Sequence, residues 1–191
     1  MPPVADWQGI IDKYYHAGTP LRDILLKHSR CVARLACSLA SSRGLAIDAA
    51  VIESAAMLHD IGVFLTQAPS IACEGSEPYI RHGILGADLL RREGIDEAYA
   101  RVAERHTGSG LPASEIEEQG LPLPHVDMVP ETLLEKLICY ADKFYSKSGD
   151  MKMKPFDKVR ASMARFGASS LKRFDELAEL FGRPEKADDS E

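Results

Sequence analysis

At 191 residues with 45% hydrophobic content, the chain has the size and apolar share of one compact domain with its own core. With 29 acidic against 23 basic residues and a net charge of −6, it lacks the broad positive surface that grips a nucleic-acid backbone, so duplex nucleic acid is not an expected partner. Cys31, Cys37, Cys73 and Cys139 form no C-x-x-C pair, and no stretch approaches the about 18 uncharged apolar residues of a membrane span, so the expectation is reduced thiols in a cytoplasmic protein without leader or membrane contact.

Apolar residues recur at three- and four-residue spacing almost throughout, and no sustained alternating run of β-branched residues sits between hairpin turns, which predicts an all-α fold. A short first helix covers about Asp6 to His16 and ends at the Ala17-Gly18-Thr19-Pro20 break. From Leu21 to Ser42 the residues Leu21, Ile24, Leu25, His28, Val32, Leu35 and Leu39 share one face, with Gly44 beyond the end. Asp48 caps a third helix that reaches about His59, and Thr66 to Pro78 reads as a loop. A fourth helix runs from Tyr79 to Arg92 and a fifth from Asp96 to His106, each stopped by a glycine. Ser109 to Pro130 carries four prolines around one short helical turn and reads as a long lid-like connection. A sixth helix over Glu131 to Ser146 precedes a basic loop with Lys147, Lys152 and Lys154, and a helical pair spans Pro155 to Phe181. The charged tail 183–191 is expected to fray.

Several of these helices carry residues that an apolar face does not need. His28 lies among leucines, the position of either a core histidine satisfied by one hydrogen bond or a ligand. His59 and Asp60 stand together at the end of an apolar helix, where the partial negative charge of the C-terminus favours a cation and consecutive side chains can converge. His82 near the start of its helix and His106 near the end of the next are either exposed polar residues or members of the same cluster. Asp142 sits inside an apolar stripe, where a carboxylate needs an arginine or a metal to tolerate burial. Convergence of such groups is how helical bundles build metal sites, so the set points to one or two divalent transition metal ions. The mixed nitrogen and oxygen donors suit Fe, Mn, Zn, Co or Ni without selecting among them. The chain contains no P-loop, no G-x-S-x-G and no dinucleotide-binding glycine pattern.

The order His28, His59-Asp60, Asp142 resembles the H…HD…D ligand pattern of the HD-domain metal-dependent phosphohydrolases over about residues 21–147. LHDIG (Leu58 to Gly62), HGILGADLL (His82 to Leu90), ERHTGSG (Glu104 to Gly110) and LEKLICYADKF (Leu134 to Phe144) resemble its six-ligand branch, which includes symmetrical dinucleoside tetraphosphate hydrolases and HD-GYP cyclic-dinucleotide phosphodiesterases. GLPLPHVDMVPETLLEKL is similar to small stand-alone HDIG proteins. The resemblance implies a single HD domain over 1–191, a compact helical bundle with its core at about 21–147 and the helical pair 155–181 appended.

It further implies that His28, His59, Asp60 and Asp142 hold a first metal ion, and that Asp60, the expected catalytic residue, bridges to a second held by His82 and His106. The activity implied is cleavage of a phosphoester or phosphoanhydride of a nucleotide or other small phosphorylated metabolite by metal-activated hydroxide. Val63 stands where many such phosphohydrolases have a lysine, and Arg81, Arg105 and Lys143, each beside an expected ligand, are the substrate-binding candidates together with Thr107 and Gly108. His125 either caps the second ion or is a loop histidine, and His16 receives no role. A di-iron oxygenase and a non-catalytic nucleotide-binding module are the alternatives. The oligomeric state is open, since Phe166, Leu171, Phe174, Leu177, Leu180 and Phe181 can pack on the core or on another chain.

Overall fold

The computed structural model describes residues 1–184. Helix α1 (Trp7–Tyr14) starts where the Asp6 carboxylate accepts from the Gly9 amide at 3.0 Å, and α2 (Pro20–Ser42) starts at the Thr19 cap with proline in its first turn. Asp48 caps α3 (Ala49–Leu58), which stops one residue before the His59-Asp60 pair. A 3-10 turn over Tyr79–Arg81 leads into α4 (His82–Arg92), and Asp96 caps α5 (Glu97–Arg105). Helix α6 (Ala113–Glu118) is the short turn expected within the long connection. Helix α7 (Leu133–Asp142) opens on a capping box in which Thr132 and Glu135 satisfy each other's backbone amides. Helices α8 (Phe156–Ala164) and α9 (Ala168–Phe181) close the described chain, separated at Gly167.

The fold is therefore helical, as the spacing predicts, with two refinements. The segment expected as a plain loop contains a two-residue antiparallel ladder, Gln67–Ala68 against Cys73–Glu74, which pins the turn beside the HD pair. Helix α7 ends at Asp142 rather than continuing to Ser146, because the amides of Lys143 and Phe144 turn back to carbonyls three residues earlier. One apolar cluster runs from Ile10 to Phe181 and draws on every helix except α6, whose Ile116 packs instead with Leu123 and Met128 under the long connection.

Helix α9 divides the C-terminal apolar face: Phe174, Leu177 and Phe181 enter the core, while Phe166 and Leu180 stay exposed. The chain remains docked past the helix, since the Tyr140 hydroxyl donates to the Gly182 carbonyl at 2.8 Å and Arg183 lies 4.5 Å over the Phe156 ring. Fraying thus does not begin at Arg183, and the rest of that expectation, at 185–191, lies outside the described residues. Among the described residues no helix is long and apolar enough to cross a membrane.

Candidate metal centre

Three close backbone approaches position the site. A Cβ on Gly62 would lie 2.3 Å from the His82 carbonyl oxygen, and one on Gly83 would lie 2.6 Å from the Ala103 carbonyl oxygen. Glycine at these positions, and at Gly86 facing Gly62, seats α4 directly against both the HD turn and α5. From the opposite side Tyr15 clamps the same turn, its hydroxyl donating to the Ile61 carbonyl at 2.9 Å and accepting from the Phe64 amide at 3.2 Å.

The result is that all six residues expected from the sequence meet in one buried cluster, from the ends of α3 and α5, the start of α4, the end of α7 and the inner face of α2. His28 Nε2 lies 2.9 Å from Asp142 Oδ1 and 3.2 Å from Asp60 Oδ2, and His59 Nε2 lies 3.0 Å from Asp60 Oδ2. The other carboxylate oxygen, Asp60 Oδ1, faces His82 Nε2 at 3.5 Å and His106 Nε2 at 3.4 Å. Asp60 thus belongs to two donor groups, His28/His59/Asp60/Asp142 and Asp60/His82/His106, each close enough to share one ion.

Three imidazoles are aimed by their own helix ends. The Nδ1 atoms of His59, His82 and His106 donate to the carbonyls of Ala56, Tyr79 and Ala103 at 2.6, 2.7 and 2.8 Å. A carbonyl can only accept, so this network places a proton on each Nδ1 and turns each Nε2 inward, the atom through which such a histidine would bind a metal. Burial, and for His82 the neighbouring His106, lowers the pKa of His82 to about 3, and burial lowers His106 as well, so both rings are neutral. Their two Nε2 atoms nevertheless stand 3.0 Å apart, lone pair facing lone pair. A shared cation resolves that repulsion. His59 Nε2 and Asp60 Oδ1 are buried without a well-formed hydrogen bond, an incomplete pairing that a metal ion at this point would complete. The donor set therefore fits a metal ion, or two.

Electrostatics support the same reading. Burial works against the Asp60 carboxylate, yet His59 and Lys147 hold its pKa well below the usual range. Burial also works against Asp142, and Lys143 with His28 and His59 keeps it ionised. For His59 burial opposes the charge, but Asp60 and Asp142 together raise the pKa to about 9, so a metal must displace a proton there.

The other expected residues lie elsewhere. Arg81 pairs with Glu77 at 2.6 Å, and Arg105 pairs with Glu131 at 2.9 Å while donating to the Val129 carbonyl. Thr107 and Gly108 form the turn after α5, where Gly108 takes a positive φ and its carbonyl accepts from Cys139. Lys143 alone of this group lines the cavity of about 600 Å³ beside the cluster, its Nζ 2.8 Å from Asp142 Oδ2 and donating to the His106 carbonyl. His125 and His16 are exposed and outside the cluster.

Two residues enter that sequence reasoning missed. Lys147 extends its ammonium to 2.7 Å from Asp60 Oδ2, where Asp60 and Asp142 raise its pKa against the cost of burial. Tyr79 stacks on His82 at 4.7 Å and carries the Lys147 ammonium 5.9 Å over its ring. Lys147 was visible only as one of several loop lysines, since a residue in a turn belongs to no helical period.

Residues 25–146 match the HD domain family, a span that contains all six clustered residues. The chain belongs to this family. Similar proteins include the tRNA (cytidine(56)-2'-O)-methyltransferases of Thermoplasma volcanium, 34% identical over 79% of this chain and 39% of that protein, and of Picrophilus torridus, 31% identical over 84% and 43%. The chain thus spans about two fifths of the length of these two relatives. An uncharacterized protein of Methanocaldococcus jannaschii is 32% identical over 78% of this chain and 82% of its own length. No solved structure matches the chain.

Proposed function

We propose that this HD domain is a metal-dependent phosphohydrolase of the six-ligand kind, acting on a nucleotide or another small phosphorylated metabolite. The observation that carries the reading is the division of Asp60: one carboxylate oxygen faces His28 and His59, the other faces His82 and His106. Two divalent ions held there would supply an activated water and neutralise phosphoryl oxygens. The chain's own contribution is orientation and charge. Backbone carbonyls fix three imidazoles, Asp60 stays ionised between its neighbours, and Lys143 and Lys147 keep positive charge on the wall where a phosphoryl group arrives. No side-chain nucleophile is needed, and the Cys139 thiol is tied to the His106 and Gly108 carbonyls with burial raising its pKa to about 11.

A further relative, 36% identical over 60% of this chain but 19% of its own length, bears the name ribonuclease Y, in Chlorobium phaeobacteroides. Nuclease chemistry cleaves phosphate esters, in keeping with this proposal. The methyltransferase names favour a second reading, in which the HD unit serves an RNA-modifying protein, and they belong to relatives more than twice as long as the matched region. Metal analysis of protein purified without chelator, followed by phosphate release from a panel of nucleotides and phosphomonoesters, tests the hydrolase reading. Bound metal with metal-dependent phosphate release supports the hydrolase. Oxygen consumption, or stabilisation by nucleotide without turnover, would instead support the oxygenase or the binding module.

A further inference from the structure

The cavity beside the metal centre holds more positive charge than the phosphohydrolase reading uses. Lys154, Lys158 and Arg165 join Lys143 and Lys147 on its walls, and the one carboxylate among them is that of Asp142. In a chain of net charge −6 this is a reversal of the average surface. Two of the five cations are engaged, Lys143 with Asp142 and Lys147 with Asp60. The other three have no carboxylate partner among the described residues. Lys154 is half-buried and donates to the Lys143 and Tyr145 carbonyls at 3.2 and 3.3 Å, which fixes its ammonium at the cavity wall without neutralising it. Lys158 on α8 and Arg165 at its C-terminal end are both exposed towards solvent and unpaired.

These three residues lie beyond residue 146, where the match to the HD family stops. The subsite is therefore built by the segment appended to the family core. Three unpaired cations lining one cavity attract a multiply charged anion more strongly than a single surface lysine does, because their fields add within it. The cavity volume, about 600 Å³, is that of a small-molecule site.

We propose that Lys154, Lys158 and Arg165 form a second anion subsite, which holds a phosphate group other than the one presented to the His/Asp cluster, so that the ligand is a small molecule carrying two phosphate groups. The assignment of the first phosphate rests on the phosphohydrolase reading; the second subsite rests on the cavity alone.

The test is calorimetric and needs no turnover. Propane-1,3-diphosphonate and propylphosphonate, whose P–C bonds resist hydrolysis, are titrated into the protein as purified. Wild type should bind the diphosphonate about ten-fold more tightly than the monophosphonate, the scale of one well-made charge-assisted contact. In Lys158→Gln/Arg165→Gln, and separately in Lys154→Gln, that preference should fall to about two-fold or less, while Lys172→Gln on α9 keeps it. Equal affinities in wild type, or an undiminished preference in the variants, would overturn the subsite. A 5′-phosphorylated single-stranded oligoribonucleotide that binds more tightly than the diphosphonate, with the advantage lost in the same variants, would overturn the small-molecule assignment in favour of RNA. A preference that behaves as expected in a protein that releases no phosphate from any substrate would leave the subsite standing and remove the hydrolase.

Discussion

Gly62 and Gly86 meet backbone to backbone: a Cβ on Gly62 would lie 2.4 Å from the Gly86 amide nitrogen, and one on Gly86 would lie 3.0 Å from the Gly62 nitrogen. Neither neighbour is a flexible side-chain end, so a methyl group at either position forces the HD turn and α4 apart. Since α4 begins at His82, the displacement moves one half of the metal centre away from the other. Gly86→Ala should destabilise the protein by about 1–3 kcal/mol, the usual cost of overpacking. Thermal unfolding and metal content, read together, check this; a variant with wild-type stability and full metal loading would show that the contact does not set the site.

Asp60→Asn keeps the shape and removes the charge at the one residue common to both donor groups. Loss of partners that merely orient a metal ligand costs about ten- to a hundred-fold in affinity, so loss of the shared ligand should cost more, with phosphate release abolished. The helical fold should persist. Circular dichroism and elemental analysis check both halves, and wild-type metal retention in Asp60→Asn would refute the bridging role.

His82→Ala/His106→Ala removes the pair of facing lone pairs and leaves His28, His59 and Asp142 in place. About half of the bound metal should be lost, with most of the activity, because two-ion sites divide the attacking and leaving oxygens between the ions. Unchanged metal content would indicate a mononuclear centre.

Much of this site can be read from the residues, for definite physical reasons. His28 and Asp142 are conspicuous because a polar group inside an apolar helical stripe must have a partner. The proximity of His82 and His106 follows from the Gly94 turn, which brings the start of α4 beside the end of α5. What stayed hidden has no period to betray it. Lys147 lies in a turn, and its approach to Asp60 depends on α7 stopping at Asp142, for which the sequence carries no glycine or proline stop before Gly149. Tyr15 clamps the HD turn from a helix end far away in sequence. Arg81 and Arg105 look like phosphate ligands beside His82 and His106, but Glu77 and Glu131 engage them, and that pairing is decided by loops.

The ionisation of the cluster predicts how stability depends on pH once metal is stripped by chelator. His59 has a folded pKa raised to about 9 from 6.5, against burial, by Asp60 and Asp142. Its contribution is fully present below pH 6.5 and is lost as pH rises through about 9. His82, lowered to about 3 by burial and by His106, behaves in the opposite sense: the unfolded chain takes up its proton below pH 6.5, so stability falls towards acid. His106 and Asp60, both lowered, add to the acid-side loss. Metal-free protein should therefore be most stable near neutrality and should lose up to about 3 kcal/mol between neutrality and pH 9, one proton's linkage over that window. With metal bound, the ion replaces the His59 proton, so the alkaline loss should disappear and metal affinity should rise with pH across the same interval. Thermal unfolding from pH 4 to about 9.5 with and without metal gives both curves. Identical alkaline limbs in the two states would show that His59 does not exchange a proton for the ion.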